Sequence, residues 1–239
     1  MLCIRNKLVP LLYNMSRNTL STNIEEKLAT LTRISKERCM YKVPKQLRDV
    51  NENAYTPTLL VIGPYHHGKV GQEFMEEHKL HYLKQMLQRT EGSVETYITA
   101  LREMEERARK CYVECISQTP DEFIEMMLLD GCFIIELFRK CARIYLETRD
   151  EEYDPIFQTE WMLNSISRDL LLFENQLPFF VLAKLFDMSE SNGSGYLGEV
   201  DGEETEEIRV EISPIQLNDL VLKFFSGFLP FEWNVLREK

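Results

Sequence analysis

Thr119-Pro120-Asp121-Glu122-Phe123-Ile124-Glu125-Met126-Met127-Leu128-Leu129-Asp130-Gly131-Cys132-Phe133-Ile134-Ile135-Glu136-Leu137-Phe138 is the stretch around which the rest of the chain must be arranged. Thr119 can cap a helix, Pro120 suits its first turn, and Glu122 completes a capping box. From Phe123 to Phe138 apolar side chains run almost all the way round. That pattern describes a helix packed on several sides, not one lying on a surface. Asp130, next to Gly131, falls within this apolar setting, and a carboxylate there requires a partner. Glu136 lies six residues further on, roughly 120° around the helix, so the two acids do not form an acid and base pair.

Working outward, the preceding segments also carry helical periodicity. Val94 to Cys115 places Val94, Tyr97, Ile98, Leu101, Met104, Ala108, Cys111 and Cys115 on one face, with Ser93 as N-cap. From Phe74 onward, Leu80, Leu83 and Leu87 form a stripe. On the C-terminal side a helix covers Thr159 to Phe173, a corner follows at Glu174-Asn175-Gln176-Leu177, and Pro178 to Phe186 is helical again. Ile24 to Arg38 is a weak helix, and Tyr41-Lys42-Val43-Pro44 is extended because Pro44 excludes helical geometry at Val43. Leu59 to Ile62 is strand-like. The sequence thus predicts a mainly α protein, a helical domain with at most one or two short β-strands near residue 60.

The 239 residues carry a net charge of −11. Residues 1–50 hold ten Lys/Arg against four Asp/Glu, so a basic front precedes an acidic body. Four segments follow: a basic arm over 1–39 with the weak helix, a helical core over 40–188, an acidic flexible loop over 189–212, and an apolar helix over 213–239 that needs a surface to pack on. The acidic balance argues against nucleic acid. Glu136, Lys184 and Lys223 interrupt the richest apolar runs, so no segment reaches the length of a bilayer span. A soluble or peripheral chain is expected on that ground, while six cysteines, too sparse for a disulfide scaffold, favour reduced thiols and an intracellular location.

The ten residues Leu59 to Gly68 change abruptly from an apolar run to a loop with Gly63, Pro64, two adjacent imidazoles and Gly68. Tyr65, His66 and His67 are therefore the candidate binding loop. Candidate catalytic residues are His66 and His67 with a carboxylate from Asp130, Asp169 or Glu174, which would make a hydrolase-like pair. No nucleophile elbow, phosphate loop or zinc-protease helix accompanies them. Asp169, Glu174, Asn175 and Gln176 read instead as a structural polar corner that satisfies helix ends and buried donors, with Arg109 or Arg168 as the compensating cation. His78 and His81 share one helix face and Cys111 and Cys115 another, but the cysteines lie on an apolar stripe and the histidines do not. No metal and no cofactor are expected.

Tyr41-Lys42-Val43-Pro44 with Leu47-Arg48, Ala54-Tyr55-Thr56-Pro57, Ile62 to Gly68, Met75 to Lys79 with Tyr82-Leu83, Ala108 to Tyr112, Glu122-Phe123 with Met126 to Phe133, Asp154 to Phe157, and Asp169 to Phe180 together resemble the plant family known as domain of unknown function 247. The resemblance covers about residues 40–187 in register. It implies a longer protein whose second half ends in a membrane-anchoring helix, so membrane contact would come only through a C-terminal segment that this chain lacks. It also implies roles such as self-incompatibility and defence, with no established biochemical activity. The expected function is that of a non-enzymatic recognition or signalling protein acting through protein contacts of the arm, the Tyr65/His66/His67 loop and the acidic loop. The alternative is a hydrolase-like or metal-dependent enzyme using His66 and His67.

Overall fold

The capping box at Thr119 forms as its residues dictate: Thr119 N donates to Glu122 Oε2 at 2.8 Å, and Glu122 N donates to Thr119 Oγ1 at 3.3 Å. A computed structural model of the chain describes residues 20–29, 37–68, 73–145, 154–191 and 216–227. Its helices from residue 37 onward are α1 (Lys45–Arg48), α2 (Glu73–Thr90), α3 (Val94–Cys111), α4 (Pro120–Tyr145), α5 (Pro155–Gln158), α6 (Glu160–Asp169), α7 (Phe179–Ser191) and α8 (Leu217–Ser226). The chain divides into two units at Lys36/Glu37. In the first, residues 20–29 are helical with every residue exposed. The rest of that arm lies outside the described residues, apart from residues 37–39, which are not helical.

In the second unit α4 is the axis, and α2, α3, α7 and α8 all pack on it. Tyr82 of α2 meets Phe133 at 4.8 Å between ring centroids, and Phe224 of α8 meets Phe138 at 4.7 Å. A full turn of apolar residues therefore has neighbours on every side, as the sequence predicts. Gly131 sets the distance to α7, since a β-carbon there would lie 2.4 Å from Leu185 Cδ1. The apolar face of α8 packs on α4 through Leu217, Leu220 and Phe224, so the described part of the last segment finds its cover within this chain. The acidic stretch from Glu199 to Glu211 and the capping residues at 213–215 lie outside the described residues.

Two helix ends and one buried stripe differ from the sequence expectation. Helix α3 ends at Cys111, because Tyr112 turns extended and forms an isolated parallel bridge with Met40. Helix α6 ends at Asp169, where a tight turn carries the chain through Leu172 into the corner. The buried stripe of α2 is Met75, Lys79, Tyr82, Leu83, Met86 and Thr90, with Leu80 exposed. Among the described residues no segment is assigned as a strand: Thr58 and Leu59 form a bend, and Leu60 to Ile62 has no regular structure. No described helix is long and apolar enough to cross a membrane.

Candidate functional site

The irregular segment Thr58 to Gly63, bent at Thr58 and Leu59 and again at Gly63, explains why so many polar side chains are buried at one place. Backbone outside helices and sheets exposes donors that must be paired once water is removed. Asp169, at the C-terminus of α6, supplies most of the acceptors. Its carboxylate accepts from Thr58 N at 3.0 Å, Leu59 N at 2.7 Å and Leu60 N at 3.0 Å, and from Arg168 Nη1 at 2.9 Å. Asn175 acts as a peptide group in place of a strand: its Oδ1 accepts from Ile62 N at 2.7 Å, and its Nδ2 donates to the carbonyls of Leu60 and Asp169, both at 2.9 Å. Asp130 Oδ2 closes the row by accepting from Gly63 N at 2.8 Å. Side chains of α4 and the corner thus do the work of a neighbouring strand.

Lys79 completes this lattice and is fully buried on α2. Its three ammonium hydrogens go to Val61 O at 2.7 Å, Glu76 Oε1 at 2.6 Å and Asp130 Oδ1 at 2.6 Å. Burial pulls the ammonium toward neutrality, but the Asp130 and Glu76 carboxylates outweigh it and hold its pKa above the ordinary lysine value. Burial also pushes the Asp130 carboxyl above its usual range, against the pull of Lys79 and of the Gly63 N–H.

Glu174 links the corner to the start of the unit. Its Oε1 accepts from Val43 N and Arg48 Nη2, both at 2.5 Å, and its Oε2 lies 3.1 Å from His66 Nε2. His66 is 2% exposed, whereas His67, the next residue, is exposed. Tyr65 turns the other way. Its hydroxyl lies 2.6 Å from Glu114 Oε2 and 2.9 Å from Met40 O, and it accepts from Val113 N at 3.2 Å. Burial and the Glu114 carboxylate hold this phenol well above its ordinary pKa. Gly63 makes the turn possible with a φ of 71°, and a β-carbon on it would lie 2.5 Å from Gln176 O. That same carbonyl accepts from Tyr112 Oη at 2.9 Å, while Gln176 Nε2 ties the carbonyls of Leu170 and Leu172 at 2.6 Å and 2.9 Å.

The loop and the corner are therefore one construction. It brings His66 to Glu174 and separates His67, Asp130 and Asp169 from that pair, each engaged elsewhere or facing outward. The sequence reading offers two cations for the corner, and Arg168 fills that role at Asp169. Arg109 does not: it pairs with Glu105 and binds the carbonyls of Ile116, Gln118 and Thr119, closing the turn that leads into α4. Lys79 and Arg48 are the cations that sequence reasoning missed. A signal existed for Lys79, since Met75, Lys79, Tyr82 and Met86 repeat at helical spacing. For Arg48 there was none beyond its place in a matching block.

A second buried polar group lies between α2, α4 and α7. Arg89 Nη2 binds Glu136 Oε1 at 2.6 Å, Arg139 Nη1 binds the same oxygen at 3.0 Å, and Arg139 Nη2 donates to Ser189 Oγ at 2.8 Å. Near the far end of α4, Asp154 Oδ2 accepts from Tyr82 Oη and Lys140 Nζ, both at 2.7 Å, while its other oxygen caps Ile156 N at 3.0 Å. Among the described residues no group of three or more His, Cys, Asp or Glu side chains is placed to hold a metal. Cys111 is buried and Cys115 exposed. Two surface hollows of about 400 and 460 Å³ flank α7, one toward Gln216 and Leu217 and the other toward Glu95 and Glu103, and neither is lined by the histidine loop or the corner.

A model of the family known as domain of unknown function 247, described as a plant protein of unknown function, matches residues 40–236. UPF0481 protein At3g47200 of Arabidopsis thaliana is 35% identical over 188 residues, which is 77% of this chain and 38% of the relative. A putative UPF0481 protein, At3g02645 of the same plant, is 30% identical over 149 residues, 62% of this chain and 27% of the relative. The chain spans well under half the length of these curated relatives. No solved structure gives a significant match.

Proposed function

Starting from the fact that this chain belongs to the plant family of domain of unknown function 247, we propose that it is a non-enzymatic recognition or signalling module that works through protein contacts. One observation carries this reading. Each carboxylate that could orient a catalytic histidine already serves a structural bond: Asp169 holds three backbone N–H groups, Asp130 holds Lys79 and Gly63 N, and Glu174 holds Val43 N, Arg48 and His66. A general base needs a substrate proton within reach, and His66 is enclosed. What the construction offers to the outside is a fixed surface. His67 stands exposed on the loop, and Leu47, Val50, Leu171 and Phe173 are exposed on either side of the Arg48–Glu174 ion pair in the chain, Val50 by 83% and Phe173 by 77%. Exposed apolar residues on a rigid frame suit a protein partner.

The test compares wild type with a Val50→Asp/Phe173→Asp variant and a His67→Ala variant in cross-linking capture from plant tissue, with thermal unfolding measured alongside. The reading requires a defined partner set lost in a surface variant that melts like wild type. Partner sets identical for all three proteins would overturn it, as would hydrolysis of an ester, peptide or phosphate panel that His66→Gln abolishes.

A further inference from the structure

The first residues of the second unit run beside the C-terminus of α3, and two cysteines meet there. Cys39 N and Met40 N both donate to Cys111 O at 3.0 Å, and Val113 N donates to Met40 O at 3.0 Å. Met40 and Tyr112 form an isolated parallel bridge, and Cys39 and Cys111 are the residues just before them in the two segments. The 3.0 Å bond from Cys39 N to Cys111 O keeps the two α-carbons within roughly 7 Å of each other, at the range of approximately 4.4–6.8 Å that a disulfide spans. The Cys39 thiol is near enough to Cys111 to raise its pKa. Cys39 is exposed and Cys111 buried, with its Sγ 3.6 Å from Arg107 O.

We infer that Cys39 and Cys111 form a reversible redox modification site, closing to an intramolecular disulfide when a low-molecular-weight disulfide such as oxidised glutathione reaches Cys39. The exposed Cys39 thiolate attacks one glutathione sulfur, forms a mixed disulfide and releases one glutathione thiolate. The Cys111 thiolate then attacks the Cys39 sulfur and expels the second glutathione. Two protein thiols are oxidised, one glutathione disulfide is reduced to two thiols, and the two protein protons end on the released glutathiones. Burial and the neighbouring Cys39 push the Cys111 thiol up to about 11, so the exposed Cys39 reacts first, and Cys111 attacks only because the adduct is held beside it. The bond would fasten the Met40–Tyr112 bridge. Because Tyr65 leans on both Met40 O and Val113 N, oxidation would lock the back of the histidine loop. This inference stands whether or not the loop binds a protein.

The experiment equilibrates the whole chain in glutathione buffers of graded potential, quenches with an alkylating reagent and maps the cysteines by peptide mass spectrometry. Expected are a cross-linked peptide holding Cys39 and Cys111, its loss on reduction, and a melting temperature roughly 5–10 °C higher in the oxidised form. Cys39→Ser should abolish both effects, and Cys111→Ser should leave a glutathione adduct on Cys39. A wild-type chain that stays fully reduced, keeps glutathione on Cys39 with Cys111 alkylatable after unfolding, or joins Cys39 to Cys115 would overturn the assignment.

Discussion

Lys79 Nζ and Asp130 Oδ1 lie 2.6 Å apart between α2 and α4, and neither residue has meaningful contact with solvent. Enclosing two ions costs several kcal/mol each, and their attraction offsets this only when the remaining hydrogen-bonding capacity is also used. Here it is used. Lys79 also holds Val61 O and Glu76, and Asp130 also holds Gly63 N, so the pair ties two helices to the 58–63 segment. Lys79→Met is expected to lower stability by about 3–5 kcal/mol, because it leaves an enclosed carboxylate without its cation. Lys79→Met/Asp130→Asn should recover part of that loss, since asparagine keeps an acceptor for Gly63 N. Urea unfolding of the three proteins measures both effects, and a double variant no better than the single one would contradict the pairing.

Asp169 is the residue on which the 58–63 segment depends most. Asp169→Ala removes the acceptor for three N–H groups, that of Leu60 buried and those of Thr58 and Leu59 partly so, and should cost about 2–4 kcal/mol. A loss below about 1 kcal/mol in chemical denaturation would mean that water replaces the carboxylate.

Two glycines of the same loop separate backbone strain from steric conflict. Gly63 and Gly68 have φ of 71° and 76°, but a β-carbon at Gly63 would meet Gln176 O at 2.5 Å while one at Gly68 would meet nothing within 4 Å. Gly68→Ala should therefore cost only the left-handed penalty, roughly 1–2 kcal/mol. Gly63→Ala should cost at least about 2 kcal/mol more, because a backbone carbonyl of the corner must move. Equal losses for the two variants would show that the corner yields easily.

Alkaline pH should unfold the protein early. The folded chain favours the protonated forms of Cys111 and Cys141, each pushed by burial from an ordinary 9.0 to about 11, and of Tyr112, raised by burial and by Asp130. Lys79 is also held protonated, despite its burial, by Asp130 and Glu76. Above about pH 9 the folded state then binds more protons than the unfolded state, so stability falls as pH rises. Melting temperatures taken between pH 7 and 11 should hold level at first and decline above about 9. A rise across the upper half of that range would contradict the burial of these groups.

The adjacent histidines should behave as opposites. His66→Ala removes a buried neighbour of Glu174 and should destabilise by about 1–3 kcal/mol, whereas His67→Ala on the exposed side should stay within about 0.5 kcal/mol of wild type. Thermal unfolding of the two single variants decides this, and a reversed order would place the loop the other way round.

Much of this architecture was legible in the chain because the signals were local. The Thr119 capping box, the apolar circumference of α4 and the Ser93 cap each depend on residues within a few turns. The corner was legible in kind, since Asp169, Glu174 and Asn175 had to be paired wherever they were buried, and Arg168 was among the cations named for it. The identity of the other partners was not, because Val43, Arg48, Lys79 and the 58–63 backbone come from far along the sequence. The strand-like appearance of Leu59 to Ile62 misled for the same reason. Its apolar side chains do face the core, but its backbone partners are side chains, which no alternation of apolar and polar residues encodes. In α2 the Leu80/Leu83/Leu87 stripe competed with one that contains a lysine, and hydropathy alone prefers the leucines.

Amide hydrogen exchange at Leu59, Leu60, Ile62 and Gly63 tests most directly whether the buried carboxylates and amide serve to hold this segment. If Asp169, Asn175 and Asp130 stand in for a neighbouring strand, these four amides should exchange as slowly as those in the middle of α4 in the wild-type protein, and Asp169→Ala should release Leu59 and Leu60 first. Exchange at the rate of an exposed loop in the wild-type protein would contradict the account and return these side chains to the pool available for chemistry.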